Sequence, residues 1–162
     1  MKDKIHSNLL KAIGGFFFLS VLILALSYYF IFNNTAIGFV FIGVGIIDLL
    51  LLKFFKINLK SVYPDIIFGM IDNGVLIFAA IIGGNYAGVI GAIIGGAAGN
   101  TITDGIGGLF EGHISEKMRK RKISDKRTAL STTLGKMAGC LFGAGIGMIL
   151  VHLVDLLLIN LL

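Results

Sequence analysis

Residues 66–82, IIFGMIDNGVLIFAAII, and residues 96–110, GAAGNTITDGIGGLF, decide the architecture. Both stretches are apolar, and each carries one acid: Asp72 in the first and Asp104 in the second. An acidic side chain at the centre of a bilayer costs about 2.5–3.5 kcal/mol on insertion scales. A chain sustains that cost where the group pairs with something, and for a carboxylate the usual partner is a cation. The two acids therefore point to an ion pathway inside a membrane.

The rest of the chain agrees with a membrane setting. Of its 162 residues 56% are hydrophobic and only 14% charged, whereas a soluble domain carries about 25% charged residues. An integral membrane protein is expected, too small for a large second domain. The single cysteine, Cys140, lies in an apolar segment and excludes a disulfide framework. The net charge of +5 does not signal nucleic acid, because the basic residues flank hydrophobic runs. The N-terminal MKDKIHSNLLK precedes an apolar run from about Leu9 to Phe32. That run is longer than the core of a signal peptide and no small-residue cleavage site follows, so it reads as a retained span. Asp3 and the absence of arginine from this N-terminal stretch argue against a mitochondrial leader.

A span needs about 20 mostly apolar residues. Five are predicted, over about 9–32, 36–55, 64–83, 86–112 and 130–160, giving an all-α polytopic protein. The last two exceed the minimum, and their glycines make tilts or breaks plausible. The cations gather at Lys2, Lys4 and Lys11, at Lys53, Lys56 and Lys60, and from Lys117 to Arg127. With five spans all three groups fall on one side. The intervening connections, Asn33-Asn34-Thr35 and Gly83-Gly84-Asn85-Tyr86, carry no lysine or arginine. Positive loops stay inside, so the N-terminus is expected in the cytoplasm and the C-terminus outside. The basic loop at 113–128 reads first as an orienting, solvated segment and second as an anionic-lipid or regulatory site.

Most of the 23 glycines lie in the last two spans. Gly135, Gly139, Gly143 and Gly147 recur every four residues and form one smooth stripe. Helices in lipid associate by close packing, which small residues allow. The first two spans carry fewer small residues and read as peripheral (1–63), leaving a three-helix glycine-rich core (64–162).

The third and fourth spans are expected to form a tight antiparallel hairpin around Gly83-Gly84-Asn85-Tyr86. Asp65 and Asp72 are two turns apart on one face, as are Asp104 and Glu111, and Asn100 shares the face of Asp104. Counting at ~1.5 Å per residue sets Asp72 and Asp104 about 10 Å deeper than Asp65 and Glu111. The deep layer adds oxygens from Asn73, Asn100, Thr101 and Thr103. Carboxylates with amide oxygens suit hard cations such as Ca²⁺, Mg²⁺, Mn²⁺ or Na⁺. Asp72, Asn100 and Asp104 are the expected metal ligands. One hairpin supplies four or five oxygens, and water, carbonyls or a second subunit must complete a calcium shell. His6, His113 and His152 sit near segment ends, which disfavours a soft-metal site. Lys136 is expected either to snorkel or to pair with Glu111 or a deeper acid. Asp48 and Asp155 are read as structural or helix-end acids.

Three runs carry a resemblance: GMIDNGVLIFAA (69–80), GNTITDGIGGLFE (99–111) and LSTTLGKMAGCLFGAGIGM (130–148). In the same order, they resemble the transmembrane protein 65 family, mitochondrial inner-membrane proteins associated with sodium-dependent calcium efflux. The resemblance covers roughly residues 65–150. Asp72, Asn73, Asn100, Asp104, Glu111, Ser131 and Lys136 occupy its motif positions. It implies a secondary cation transporter, a Na⁺/Ca²⁺ exchanger. Without a mitochondrial leader the chain reads as a relative in the plasma membrane of a bacterium or archaeon. Asp72 and Asp104 would ligate Ca²⁺, with Na⁺ competing for the same oxygens. A homodimer is expected. No P-loop and no nucleophile–base pair is visible, so no enzyme is expected, and neither is a resident cofactor. The rivals are a channel or uniporter for Ca²⁺, Mg²⁺ or Mn²⁺ and a regulatory or scaffold subunit of another exchanger.

Overall fold

The computed structural model describes residues 2–30, 37–121 and 128–159, with the side chains at 2–6, 8, 111 and 155–159 left outside the description. The Asn33-Asn34-Thr35 connection, residues 122–127 and the extreme C-terminus lie outside the described residues, while residues 113–120 of the expected basic loop continue α3 as helix. The described residues form α1 (Lys2–Phe30), α2 (Ile37–Phe54), a short 3₁₀ turn (Leu59–Ser61), α3 (Tyr63–Lys120) and α4 (Ala129–Ile159). Four of these helices are long and apolar enough to cross a membrane.

The 58-residue α3 is not a straight rod. Ala87 (φ −139°) and Gly88 (φ +59°, ψ −140°) leave helical geometry, and the chain doubles back there into two arms, 63–86 and 89–120. Backbone contacts record the reversal. Gly83 lies against Gly91 and Gly95 against Ala79, while Gly107 lies against the ring of Phe68. The expected hairpin is present, but its turn falls after Gly83-Gly84-Asn85-Tyr86 rather than within it. Gly83 is taken up by the approach of the two arms, where a Cβ would strike the Gly91 carbonyl. The left-handed residue is Gly88, a conformation that side chains resist.

α4 is the hub, packing against α1, α2 and α3. Its four-spaced glycines receive the first arm of α3 in parallel register: Gly135 at Val62 and Asp65, Gly139 at Ile66, Gly143 at Met70 and Gly147 at Ile77. A further glycine, Gly145, receives α2 in the opposite sense, with Gly38 near Gly145 and Ile149 and Gly45 near Leu141 and Phe142. On α1, a Cβ at Gly15 would lie 3.3 Å from Leu134. Despite its glycines α4 is unbroken. Its start is capped reciprocally: Ser131 N donates to Thr128 Oγ1 at 3.1 Å and Thr128 N donates to Ser131 Oγ at 2.9 Å.

The first two helices each contribute buried side chains to the packing around α4. Ala12 and Leu19 of α1, Val44 and Leu52 of α2, Val62, and Leu130, Leu134 and Leu141 of α4 form one buried cluster. Many other large apolar side chains, Phe17, Leu24, Ile93 and Leu109 among them, are exposed, as lipid-facing positions are.

Candidate cation site in the helical hairpin

Within the hairpin the register brings Thr103 of the second arm to Asp72 of the first. Thr103 Oγ1 lies 3.0 Å from Asp72 Oδ1, 2.9 Å from the Gly99 carbonyl and 3.1 Å from the Asn100 carbonyl. A hydroxyl has one proton and two lone pairs. It can donate to the carboxylate or back to its own helix, but not to both at full strength. Thr103 is buried and Asp72 half-buried, so the bond to Asp72 spans the two arms away from water.

Asp104 follows Thr103 by about 100° around the helix and is exposed. Its recorded partner is on its own arm: Asn100 Nδ2 donates to Asp104 Oδ2 at 3.3 Å. Thr101, also exposed, returns its hydroxyl to the Ala97 carbonyl at 2.9 Å. The deep acidic layer thus has two parts, an inner one at Asp72 and Thr103 and an outer one at Asn100 and Asp104. Gly105, Gly108 and Gly112 continue the outer face, with no atom within 4 Å of where a Cβ would stand.

The other expected site residues are distributed as follows. Asn73 turns toward α4, where its Nδ2 donates to the Cys140 carbonyl at 3.3 Å. Lys136 reaches Phe68, its Nζ lying 4.5 Å from the ring centroid, a cation–π geometry. Phe68 is thereby held between Lys136 and Gly107 of the second arm. Asp65 is fully buried in the first turn of α3, opposite Gly135. α4 packs directly over it at Gly135. Ser131 caps α4. The Glu111 and Asp155 side chains lie outside the described residues.

Two residues outside the expected site carry weight here. Phe68 was signalled only by its position one turn before Asp72. Asp48, taken as a structural or helix-end acid, is fully buried on α2 with neither carboxylate oxygen hydrogen-bonded.

Among the described residues no three His, Cys, Asp or Glu side chains converge as a metal cluster. A cation at Asp72 would draw on neutral oxygens, which hard cations accept and soft ones do not. Comparison with protein-family models, curated proteins and solved structures gives no match.

Proposed function

We propose that this chain is a secondary cation transporter crossing the membrane five times, with the N-terminus in the cytoplasm, and that the α3 hairpin holds the cation. The observation that carries the reading is the Thr103–Asp72 hydrogen bond. It joins an acid and a hydroxyl on facing arms of a glycine-packed hairpin, within a run apolar enough to cross a membrane, where an acid is costly. Asn100 and Asp104 are the outer ligands. Ca²⁺ as cargo and Na⁺ as counter-ion rest on the resemblance to the transmembrane protein 65 family.

The topology has its own support. The first arm of α3 and α4 run one way, α2 and the second arm run the other, and α1 follows α4, with Gly15 near Leu134 and Ile23 beside Leu141 and Ala144. Lys60, Lys117 and Arg121 line one open groove of about 610 Å³ at a single end of the bundle. That convergence joins the second and third basic clusters on one side, which the positive-inside rule makes cytoplasmic.

A second copy of the chain is part of the proposal. Asp104 and the open glycines Gly105 and Gly108 face outward from the hairpin, where lipid would penalise the acid and where small residues permit close helix approach. A dimer through this face covers Asp104 and supplies further oxygens. Cysteine introduced at Gly108 is expected to cross-link copies in native membranes. Absence of cross-linking there, with ready cross-linking elsewhere, would move the interface.

The deciding experiment is ⁴⁵Ca²⁺ flux into proteoliposomes of purified protein, with and without an opposing Na⁺ gradient. Na⁺-dependent flux is expected, abolished in Asp72→Asn and Asp104→Asn. Thr103→Val, losing one charge-assisted hydrogen bond worth about 1.5 kcal/mol, should weaken apparent affinity about tenfold. Flux lost in the mutants but indifferent to Na⁺ would indicate a channel or uniporter. No flux of Ca²⁺, Mn²⁺ or Mg²⁺ would overturn the transport reading.

A further inference from the structure

The carboxyl of Asp48 lies fully buried within an apolar helix. It sits in FIGVGIIDLLLL, the middle of α2, on the face that also buries Gly38, Val44, Gly45 and Leu52. Its exposure is 0%, and both oxygens are buried without a hydrogen-bond partner. The α2–α4 register, with Gly38 near Ile149 and Gly45 near Leu141 and Phe142, carries Asp48 toward the level of Ala138 and Gly139.

No charge is aimed at it from the helices around it. On α4 the ionisable groups near that level are Lys136 and Cys140. Lys136 extends to the Phe68 ring, and Cys140 Sγ faces Gly69, so both turn toward α3. Among the described residues α3 does not pack against α2. On α1 the ionisable side chains Lys11, Tyr28 and Tyr29 are exposed, as are Lys53 on α2 itself and Lys60 in the 3₁₀ turn. A bare carboxylate in such surroundings is prohibitive. A metal ion would need about six oxygens, and the neighbouring cluster is Leu, Val and Ala. A proton needs no shell. Once protonated, the carboxyl becomes a donor, and helical carbonyls keep a second lone pair to receive it.

We propose that Asp48 is a proton-binding site, holding an exchangeable proton between α2 and α4 on the side of α4 away from the hairpin. The sign of the linkage follows. The packed α2–α4 interface binds the proton and a parted interface releases it, so raising the pH favours parting. α4 then lies between two carboxyl sites, Asp72 toward α3 and Asp48 toward α2, and only the inner hairpin site is built to meet a metal ion.

The test is infrared difference spectroscopy on purified, reconstituted full-length protein at neutral pH, wild type against Asp48→Asn and Asp48→Glu. A carbonyl stretch of a protonated carboxylic acid is expected in the wild type, absent from Asp48→Asn and displaced in Asp48→Glu. On transfer to D₂O the wild-type band should shift as the proton exchanges. If Asp48→Asn does not fold, the displacement in Asp48→Glu carries the assignment. A wild-type spectrum with no band attributable to Asp48 would show an ionised carboxylate and overturn the proposal. So would a band unmoved after prolonged exposure to D₂O, which would mark a sealed structural acid. The measurement uses no transported cation, so its outcome and that of the flux experiment are independent.

Discussion

The two sides of α4 are packed by different means. Toward the first arm of α3 it presents Gly135, Gly139, Gly143 and Gly147, and the backbones nearly touch: a Cβ on Gly139 would strike the Ile66 carbonyl, and one on Gly143 the Met70 carbonyl. Toward α1 and α2 it presents Leu130, Leu134 and Leu141, which join Leu19, Val44 and Leu52 in an apolar cluster, with a close backbone contact beyond them, Gly145 against Gly38. The glycine side has few side chains to interlock, so small sliding motions meet few steric keys. The leucine side is keyed by branched side chains in defined rotamers, which resist displacement. The candidate cation site lies beyond the smooth side and the buried acid Asp48 lies in the keyed side. On the proposed transport reading, motion is therefore expected between α4 and α3, with the α1–α2–α4 unit as the frame.

Gly139→Leu should break this division most severely. The added side chain meets the Ile66 backbone, which cannot yield as a flexible side-chain end can. Overpacking a tight contact costs about 1–3 kcal/mol even where neighbours adjust, and here they cannot. Loss of the folded bundle is expected, read as a collapsed melting transition in detergent. Gly43→Leu on α2 is the control, because nothing lies within 4 Å of its Cβ position. Equal damage at both positions would mean that bulk anywhere in these helices is harmful and that the glycine stripe is no special surface.

Much of this arrangement was open to inspection in the chain. Apolar length marks the helices, and the glycine interval of four residues marks the face of α4 that meets a neighbour. The location of the hairpin turn was not readable. Gly83, Gly84 and Gly88 can all adopt a left-handed conformation, and the choice of Gly88 depends on Gly83 being needed against Gly91. Helix phase was also hidden. Thr103 and Asp104 are adjacent, so a small rotation decides which faces Asp72, and the packing of Gly95, Gly99 and Gly107 on the first arm puts the hydroxyl there. Asp48 was obscure for the same reason: in an apolar run nothing distinguishes a lipid-facing position from one buried against α4.

Leu134→Ala probes the other side. Leu134 is fully buried at the centre of the apolar cluster, beneath Gly15 of α1. Truncating a buried leucine costs about 2–5 kcal/mol in water-soluble proteins, part transfer and part cavity. In a bilayer the transfer part largely vanishes because lipid is as apolar as the core, so the cost should fall near 2 kcal/mol. Reversible unfolding in mixed micelles would measure it. If the frame reading holds, Na⁺-dependent flux should survive at temperatures where the variant remains folded. A selective loss of flux without loss of stability would place the moving surface on the leucine side instead.

Lys56→Gly is the gentlest change and runs in the opposite direction. α2 ends with Ile57 N donating to the Leu52 carbonyl and Lys56 N to the Lys53 carbonyl, both at 2.9 Å. This double return is the Schellman closure, with the residue after the cap in the left-handed region. Here that residue is Lys56 at φ +57°, where a Cβ is disfavoured by about 1–2 kcal/mol. Leu52 and Ile57 meet in the apolar cluster, as the hydrophobic pair of such an ending does. Glycine at position 56 removes the backbone strain but adds freedom to the unfolded chain, so the net gain should be below about 1 kcal/mol. A small rise in the unfolding midpoint, with flux unchanged, is the expected result. A fall would mean that the Lys56 side chain, through its charge at the end of α2, matters more to the frame than the turn it closes.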